Sequence, residues 1–215
     1  MAARELCWQT TLTSPVDLTL GAPAIDEEFR GLRRIALDDA SWVDFLPDWV
    51  RGGDELLADI AEHAPWQPQK LRVMWDHQVR EPRILARWPG LETLPVPVVV
   101  MRDALSRRYR VDFDLVSVNL YRDGADSVAW HGDRNRLTHL NPLVVTVSLG
   151  ERRTFLLRRR GGGPSALSLR LGGGDLLVMA GACQHEWEHC VPKVAYAGAR
   201  MSITFRHSAN VIAFS

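Results

Sequence analysis

Hydrophobic and polar residues alternate with a period of two from about residue 113 onward, which is typical of β-strands. In the segment FDLVSVNLY, residues Val116, Val118 and Leu120 fall on one face of a strand, and mostly polar residues fall on the other. Five comparable segments follow: NPLVVTVSLG, RTFLLRRR, SALSLRL, GDLLVMAG and RMSITFRH. Glycine runs separate some of them and indicate hairpin turns, because none leads into a helix as a phosphate-binding loop does. The pattern predicts an antiparallel sandwich or jelly roll.

Two earlier segments have helical spacing instead. The segment GGDELLADIAEHAPW places Leu56, Leu57 and Ile60 on one face, with Asp54 as the predicted N-cap, and ends before a proline. The segment VPVVVMRDALSRRY predicts a second helix that begins near Pro97. Between them, LRVMWDHQVREPRILARWPG is aromatic and interrupted by prolines, which favours a hairpin or flap.

These patterns divide the chain at about residue 94. We expect an N-terminal α/β region over residues 1–94, with a flap at about 70–90. A mainly β core over residues 95–215 follows, so that the fold class is α+β, and both parts should pack as one compact unit.

Composition narrows the function classes only slightly. The formal net charge of zero gives no global field that would attract nucleic acid or a membrane. Lysine occurs only at Lys70 and Lys193, and this arginine bias reflects either coding composition or recognition of phosphates and carboxylates. Three cysteines without a C-x-x-C motif argue against a disulfide framework or a cysteine-rich zinc site. With no signal or membrane-spanning segment, we expect a reducing, cytoplasmic setting and no membrane partner.

Residues 185–189, His-Glu-Trp-Glu-His, match the H-E-x-x-H pattern of zinc proteases. That chemistry needs a helix, because only there do residues four apart face the same ion. Gly181 and Pro192 leave room for about two helical turns at most. The residues upstream of them have a strand pattern instead. We therefore interpret the match as a coincidence on an extended segment.

A different metal-binding arrangement involves His131 and Asp133, which leave the same face of an extended chain. With a second imidazole from another strand, they would form the 2-His-1-carboxylate set of non-haem Fe(II) oxygenases. Both His185 and His189 are candidates for that imidazole and share the same strand parity, but the W-x-H-x-x-P spacing favours His189. Trp130 falls on the opposite face, where core packing is the simpler interpretation.

The strand RMSITFR has an apolar face and a polar face. The polar face carries Arg200, Ser202, Thr204 and Arg206. An arginine on the buried side of a sheet is costly unless it meets an anion. Two of them suit a dicarboxylate that is bound by bidentate hydrogen bonds.

Taken together, six segments of the chain resemble the AlkB family of Fe(II)/2-oxoglutarate-dependent nucleic-acid dealkylases. They are FDLVSVNLYRDG, WHGD, VSLGERRTFLLR, GDLLVMAG, WEHCVP and RMSITFR. Order, spacing and strand context match from about Phe113 to Arg206, and EPRILARW weakly resembles the family's Pro-Arg segment. The resemblance implies a double-stranded β-helix (jelly roll) core with N-terminal helices and a flap-like nucleotide-recognition segment.

The resemblance also implies roles for individual residues. His131, Asp133 and His189 correspond to the iron ligands. Asn119 and Tyr121 occupy positions that contact 2-oxoglutarate, although on their own they would be interpreted as ordinary inward polar residues of a strand.

Further positions correspond to the family's R-x-N-x-T-x-R strand. Arg200 and Arg206 would hold the two carboxylates of 2-oxoglutarate, and Thr204 matches too. Ser202 replaces the usual asparagine, which shortens or removes its contact. Asn135 stands where many members carry an acid that reads the damaged base, so the base preference stays open.

The implied reaction oxidises 2-oxoglutarate with O2 to succinate and CO2 and hydroxylates an alkyl group on a ring nitrogen, which leaves as formaldehyde. Bases of the 1-methyladenine and 3-methylcytosine type in DNA or RNA would be repaired in this way. The base must be flipped or single-stranded to reach the metal, between aromatic walls. His131 is the expected lower wall, Trp75 and Trp88 are candidates for the upper wall, and Arg83 is a candidate substrate contact.

Two other functions remain open. A 2-oxoglutarate-dependent oxygenase could act on a protein or a small molecule with the same core, and the neutral net charge and Asn135 are compatible with it. A metal-free jelly-roll binding module is the non-enzymatic alternative. The resemblance implies a monomer.

Overall fold

The computed structural model describes residues 23–69, 71–74, 77–132 and 142–208, with only the backbone within 71–80. The first half of the chain contains short strands around one helix. Its elements are β1 (Ala24–Ile25), β2 (Arg33–Ala36), β3 (Ser41–Leu46), β4 (Val50–Arg51), α1 (Gly53–His63), β5 (Leu71–Met74), β6 (His77–Arg80) and β7 (Ile84–Arg87).

A 3-10 turn (Leu91–Thr93) leads into the second helix, α2 (Val96–Tyr109). The remaining elements are β8 (Leu115–Tyr121), β9 (Val128–His131), β10 (Val144–Gly150), β11 (Arg153–Arg159), β12 (Leu167–Leu171), β13 (Asp175–Gly181), the short helix α3 (Cys183–Glu186), β14 (Trp187–Val191) and β15 (Arg200–Arg206). The second helix and all five strand segments that follow FDLVSVNLY were predicted from the sequence pattern.

Two antiparallel sheets build the described core. The larger sheet has the strand order β2-β3-β13-β10-β15-β8-β7, and the smaller sheet has the order β12-β11-β14-β9. Side chains from both sheets, among them Val144 and Met179 of the larger and Phe155 and Leu157 of the smaller, form one buried cluster. Two facing antiparallel sheets with this packing are a jelly roll, which confirms the predicted fold class.

A second buried cluster lies on the other face of the larger sheet, where the helices pack. Leu56 and Ile60 of α1 and Met101 and Leu105 of α2 meet the outward-facing residues of the sheet there, including Ile203. Each such side chain contributes about 1.5–3 kcal/mol on full burial. The helices therefore pack on the outer face of the larger sheet, and its inner face is left to face the smaller sheet.

The alternation predicted for β8 is confirmed. Val116, Val118 and Leu120 belong to the helix-side cluster. Ser117 and Tyr121, on the other face, are buried in the interior between the sheets. One strand thus serves both the core and the cavity, as its period of two requires.

The first helix begins differently from the prediction. Gly52, with a left-handed φ of 67°, is the N-cap, and no side chain caps the helix. Asp54 lies instead in the first turn, where its charge favours the helix dipole. Its predicted capping role is therefore wrong, because a glycine makes the turn that enters the helix.

The strand β3 was not predicted, because it is buried on both faces and does not alternate. It carries Asp44, which is 1% exposed and accepts hydrogen bonds from Arg34 at 2.7 Å and from the Tyr109 hydroxyl at 3.1 Å. These partners satisfy a carboxylate that would otherwise be costly to bury.

Residues 183–191 combine a helical turn with a strand. The turn α3 ends at Glu186, and His189 lies in the middle of β14. The prediction of an extended segment is correct only from Trp187 onward. Because His185 and His189 do not share a helix, the zinc-protease arrangement is excluded.

Strands from both sides of residue 94 belong to the larger sheet. The predicted division into an N-terminal region (1–94) and a core (95–215) stays a prediction. The flap segment contains the predicted hairpin, β5 and β6, whose backbones pair in an antiparallel register.

No helix in the described part of the chain is long and apolar enough to cross a membrane.

Two glycines in turns offer a matched test of the fold. Gly162 lies in the hairpin between β11 and β12, as predicted, whereas Gly174 lies in the turn that links β12 of the smaller sheet to β13 of the larger sheet, so the hairpin predicted there is wrong. Gly174 (φ 101°) lies where a Cβ would collide with the Val50 carbonyl oxygen, whereas Gly162 (φ 109°) has nothing within 4 Å of that position. We expect Gly162→Ala to lose about 1 kcal/mol of the free energy of unfolding through its backbone conformation alone. Gly174→Ala should lose several-fold more. Urea denaturation measures both, and equal losses would contradict the described contact of the turn with β4.

Candidate active site

A cavity of about 220 Å³ lies between the two sheets. The larger sheet supplies a polar wall and the smaller sheet supplies two histidines. The polar residues that line it are Arg83, Arg87, Ser117, Asn119, Tyr121, His131, Thr146, His189, Arg200, Ser202, Thr204 and Arg206. The structure therefore brings together eight of the residues predicted for metal and co-substrate binding.

The two histidines face each other across neighbouring strands of the smaller sheet. His131 at the end of β9 is in register with His189 of β14, and their ring centroids are 4.3 Å apart. Phe155 of β11 stacks on His189 at 5.3 Å with an interplanar angle of 21°. The stacking holds the His189 imidazole at the cavity wall, where it converges with His131.

The tautomer of His131 suits a metal ligand. Its Nδ1 is 2.8 Å from the Ala129 carbonyl oxygen, which can only accept, so Nδ1 carries the proton. The lone pair is therefore on Nε2, the usual arrangement when a backbone carbonyl orients a ligating histidine.

Two imidazoles and one carboxylate are the donor set that Fe(II) takes in non-haem oxygenases. The predicted carboxylate, Asp133, lies outside the described residues. Among the described residues, no group of three histidine, cysteine, aspartate or glutamate side chains is close enough to hold a metal. His131 and His189 fit the iron site, and the third ligand stays a prediction.

The competing histidine is placed elsewhere. His185 belongs to α3, and it is absent from the described residues that line the cavity. Its backbone carbonyl accepts a hydrogen bond from Arg160 Nε at 2.6 Å. The two histidines do not share a strand parity, as was expected from the sequence, because the chain is helical at His185.

Arg200 lies in the cavity wall and is 1% exposed. Its Nη2 donates to the Ser148 hydroxyl at 2.7 Å, and its guanidinium lies 4.9 Å from the ring centroid of Tyr121. Its Nε and Nη1 make no well-formed hydrogen bond among the described residues. Burial lowers the pKa of Arg200 below its ordinary value, although the nearby Tyr121 side chain favours the charged form and so raises this pKa in part.

A buried guanidinium with two unsatisfied donors costs several kcal/mol unless an anion joins it. The buried carboxylate of Asp175 is already engaged, because it accepts a hydrogen bond from Arg152 at 2.7 Å. An external carboxylate therefore fits Arg200. This orphaned donor pair is the observation that suits the co-substrate expected at this site.

The rest of the polar wall follows from strand register. Ser202 pairs with Asn119 and Ser148, and Thr204 pairs with Ser117 and Thr146. Arg206 ends the row, with Nη1 3.5 Å from the Ser117 hydroxyl. Because alternate residues share a face, this pairing gathers hydroxyl and amide groups between the two arginines.

Three of these hydroxyl residues were missed from the sequence: Ser117, Thr146 and Ser148. Thr146 and Ser148 occupy alternate positions of NPLVVTVSLG. The same alternation that identified the polar face of β15 could have found them. Phe155 gave no signal of its own, because its contact with His189 depends on the pairing of β11 with β14.

Apart from His131, only Arg83 of the residues predicted to contact the substrate lies in the cavity, among those that the structure describes. Arg83 lines the cavity, and its Nε donates to Asn119 Oδ1 at 3.0 Å. Trp88 lines a neighbouring cavity of about 280 Å³ and packs against the helix-side cluster, so it is not brought to His131. Trp75 and Asn135 lie outside the described residues.

The outer face of the smaller sheet holds Trp130. The Arg158 guanidinium stacks on the Trp130 ring at 4.1 Å and pairs with Glu188 at 3.1 Å. The expected core packing of Trp130 is wrong, because the ring is half-buried beneath this arginine. Next to His131, a Cβ on Gly132 would meet the end of the flexible Arg160 side chain and would lie 3.1 Å from the backbone carbonyl oxygens of Gln184 and Trp187, so a larger residue would fit there only if these neighbours shifted.

Comparisons with known proteins identify the family to which the chain belongs. A family model described as the 2OG-Fe(II) oxygenase superfamily matches residues 59–206. The alpha-ketoglutarate-dependent dioxygenase alkB homolog 3 of Mus musculus is 29% identical over 208 residues, covering 85% of this chain and 71% of the relative. The DNA oxidative demethylase ALKBH2 of Arabidopsis thaliana is 32% identical over 133 residues, covering 49% of this chain and 42% of the relative.

A solved structure, described as the structure of OsALKBH1, superimposes with a TM-score of 0.57 at 14% identity. The match covers 81% of this chain and 100% of that one. At this identity the similarity concerns the fold alone, and it agrees with the jelly roll described above.

The two histidines of H-E-x-x-H can be separated by mutation. His189→Ala should weaken Mn(II) binding by at least about tenfold, because it removes one of the predicted ligands from the cavity. His185→Ala, the matched control four residues away, should change it less than about twofold. Calorimetric titration of Mn(II) measures both, and the opposite order of effects would contradict the site.

Proposed function

Because the chain belongs to the 2OG-Fe(II) oxygenase superfamily and, within it, to the AlkB family, we propose that it oxidatively dealkylates N-alkylated bases in nucleic acid. Family membership makes the chain a dioxygenase that uses Fe(II), 2-oxoglutarate and O2. The proposed substrates are bases of the 1-methyladenine and 3-methylcytosine type in DNA or RNA. The proposed role is repair of alkylation damage.

One observation carries the proposal. The orphaned donors of Arg200 and the paired imidazoles of His131 and His189 line the same cavity. A carboxylate site beside a histidine pair is what an enzyme needs to place a 2-oxo acid against a metal. The names of the mouse and Arabidopsis relatives, a dioxygenase and a DNA demethylase, support the choice of reaction and substrate.

His131 and His189, with Asp133, would hold the iron. When bound, iron and 2-oxoglutarate supply the oxidation by O2 that hydroxylates an N-alkyl group, with succinate and CO2 as co-products and formaldehyde released from the hydroxylated base. The side chains of the chain itself position the reactants and shield them from water.

Arg200 and Arg206 would bind the two carboxylates of 2-oxoglutarate through charge-assisted hydrogen bonds. Asn119, Tyr121 and Thr204 would add hydrogen bonds from the same wall. Ser202 lies on the same face of β15 as Thr204 and has a shorter side chain than the asparagine usual in the family. It would therefore reach less far toward 2-oxoglutarate, or would not contact it.

Apolar side chains form the remaining walls of the cavity. Val128, Val144, Phe155, Met179 and Val191 line it beside the polar groups. They reduce the access of water, which strengthens the hydrogen bonds and ion pairs inside. The target base would approach this cavity flipped or as single strand, with His131 at one wall. A monomer is sufficient for this arrangement.

An oligonucleotide assay tests the proposed substrate class. The Fe(II)-loaded protein is incubated with DNA and RNA oligonucleotides that contain 1-methyladenine or 3-methylcytosine, with and without 2-oxoglutarate. We expect formaldehyde and the demethylated base only when 2-oxoglutarate is present, and loss of both with His131→Ala.

The same assay can also contradict the proposed nucleic-acid substrate. If succinate forms from 2-oxoglutarate but no oligonucleotide loses its methyl group, the nucleic-acid proposal fails. The oxygenase would then act on a protein or a small molecule, the alternative compatible with the neutral net charge.

A further inference from the structure

Arg83 lies between the flap hairpin and β7 and reaches into the cavity. Its Nε donates a hydrogen bond to Oδ1 of Asn119 at 3.0 Å, and both side chains are half-buried. A guanidinium has donors and no acceptor. The atom of Asn119 that faces Arg83 must therefore be the amide oxygen, so the contact determines which way the amide points.

The orientation of this amide matters because Asn119 faces the cavity. Asn119 is paired with Ser202 of β15 on one side and with Leu85 of β7 on the other. With Oδ1 held by Arg83, the NH2 group is the end that remains for a ligand in the cavity. A carboxylate is stabilised by an N–H donor and repelled by an amide oxygen.

The backbone around Arg83 is anchored, so its side chain starts from a fixed position. The Ser127 N–H donates to the Pro82 carbonyl at 2.7 Å, which ties this segment to the chain just before β9. Immediately after Arg83, Ile84 enters the larger sheet opposite Leu120. An anchored donor loses less conformational entropy when it orients a neighbour.

We propose that Arg83 is a positioning residue for the co-substrate: it holds the Asn119 amide with its NH2 group toward a carboxylate of 2-oxoglutarate. The affinity for 2-oxoglutarate therefore depends on a residue at the base of the flap. The inference rests on the co-substrate role proposed for the cavity and does not depend on the nucleic-acid substrate. It gives Arg83 a partner other than the substrate contact expected from the sequence.

Variants of two cavity-lining arginines, the half-buried Arg83 and the exposed Arg87, separate this role from general electrostatics. Arg83→Gln and Arg87→Gln each remove one positive charge from a side chain that lines the same cavity, but only Arg83 bonds to Asn119. A glutamine has both a donor and an acceptor, so it can pair with either orientation of the amide. The Arg83→Lys variant keeps a group that only donates.

The measurement is calorimetric binding of 2-oxoglutarate to the full chain loaded with Mn(II), without nucleic acid. We expect Arg83→Gln to weaken binding about tenfold, Arg87→Gln to change it less than about twofold, and Arg83→Lys to retain most of the affinity. In an Asn119→Ala background, Arg83→Gln should add less than about twofold, because the residue through which it acts is gone. Urea denaturation of each variant checks that it is folded.

Several results would overturn the inference. Equal losses for Arg83→Gln and Arg87→Gln would mean that charge alone matters. A full effect of Arg83→Gln in the Asn119→Ala background would mean that Arg83 acts on 2-oxoglutarate directly. Unchanged binding with Arg83→Gln would remove the role altogether. If wild-type protein binds 2-oxoglutarate in this way but demethylates no oligonucleotide, the substrate proposal fails and the positioning role stands.

Discussion

A guanidinium buried between two β-sheets, with two of its donors unsatisfied, is the constraint on which this site depends. Arg200 is 1% exposed, and the neighbouring hydroxyl of Ser148 and ring of Tyr121 compensate its charge only in part. The cavity beside these donors has room for water, but a buried charge without a counter-ion is still costly. In the function that we propose, a carboxylate of 2-oxoglutarate removes that cost.

The two sheets contribute different chemistry to the same cavity. The larger sheet carries apolar residues against the helices and polar residues inward, as Ile203 and Ser202 do on adjacent positions of β15. The smaller sheet presents His131 and His189 in register from neighbouring strands. A jelly roll thus places a polar anion site and an imidazole pair face to face, while the helices stabilise the sheet from outside.

Period-two alternation explains why much of the site could be predicted from the sequence. Once β8 and β15 are recognised as strands, the inward positions of Asn119 and Arg200 follow directly. The preference for His189 over His185 rested on motif spacing rather than on parity. The structure places the two histidines on different elements, a short helix and a strand.

Features that depend on tertiary contacts were not predictable in this way. The bond from Arg83 to Asn119 joins residues 36 positions apart and exists only because β7 pairs with β8. Asp44 interrupts the apolar sequence of β3. Its burial is possible only because Arg34 of β2 and Tyr109 of α2 donate hydrogen bonds to it, and the sequence pattern does not reveal these contacts. Trp88 looked like a base-stacking residue by type, but its position after β7 directs it to a neighbouring cavity.

The most direct test of the account compares wild-type protein with Arg200→Met in urea denaturation, with Mn(II) and with or without 2-oxoglutarate. Without 2-oxoglutarate, the variant should be at least as stable as wild type, because an apolar residue replaces an incompletely paired buried charge. Addition of 2-oxoglutarate should raise the free energy of unfolding of wild type and leave that of the variant nearly unchanged. A variant that is less stable alone yet gains as much from 2-oxoglutarate would show that Arg200 is structural, and would contradict the account.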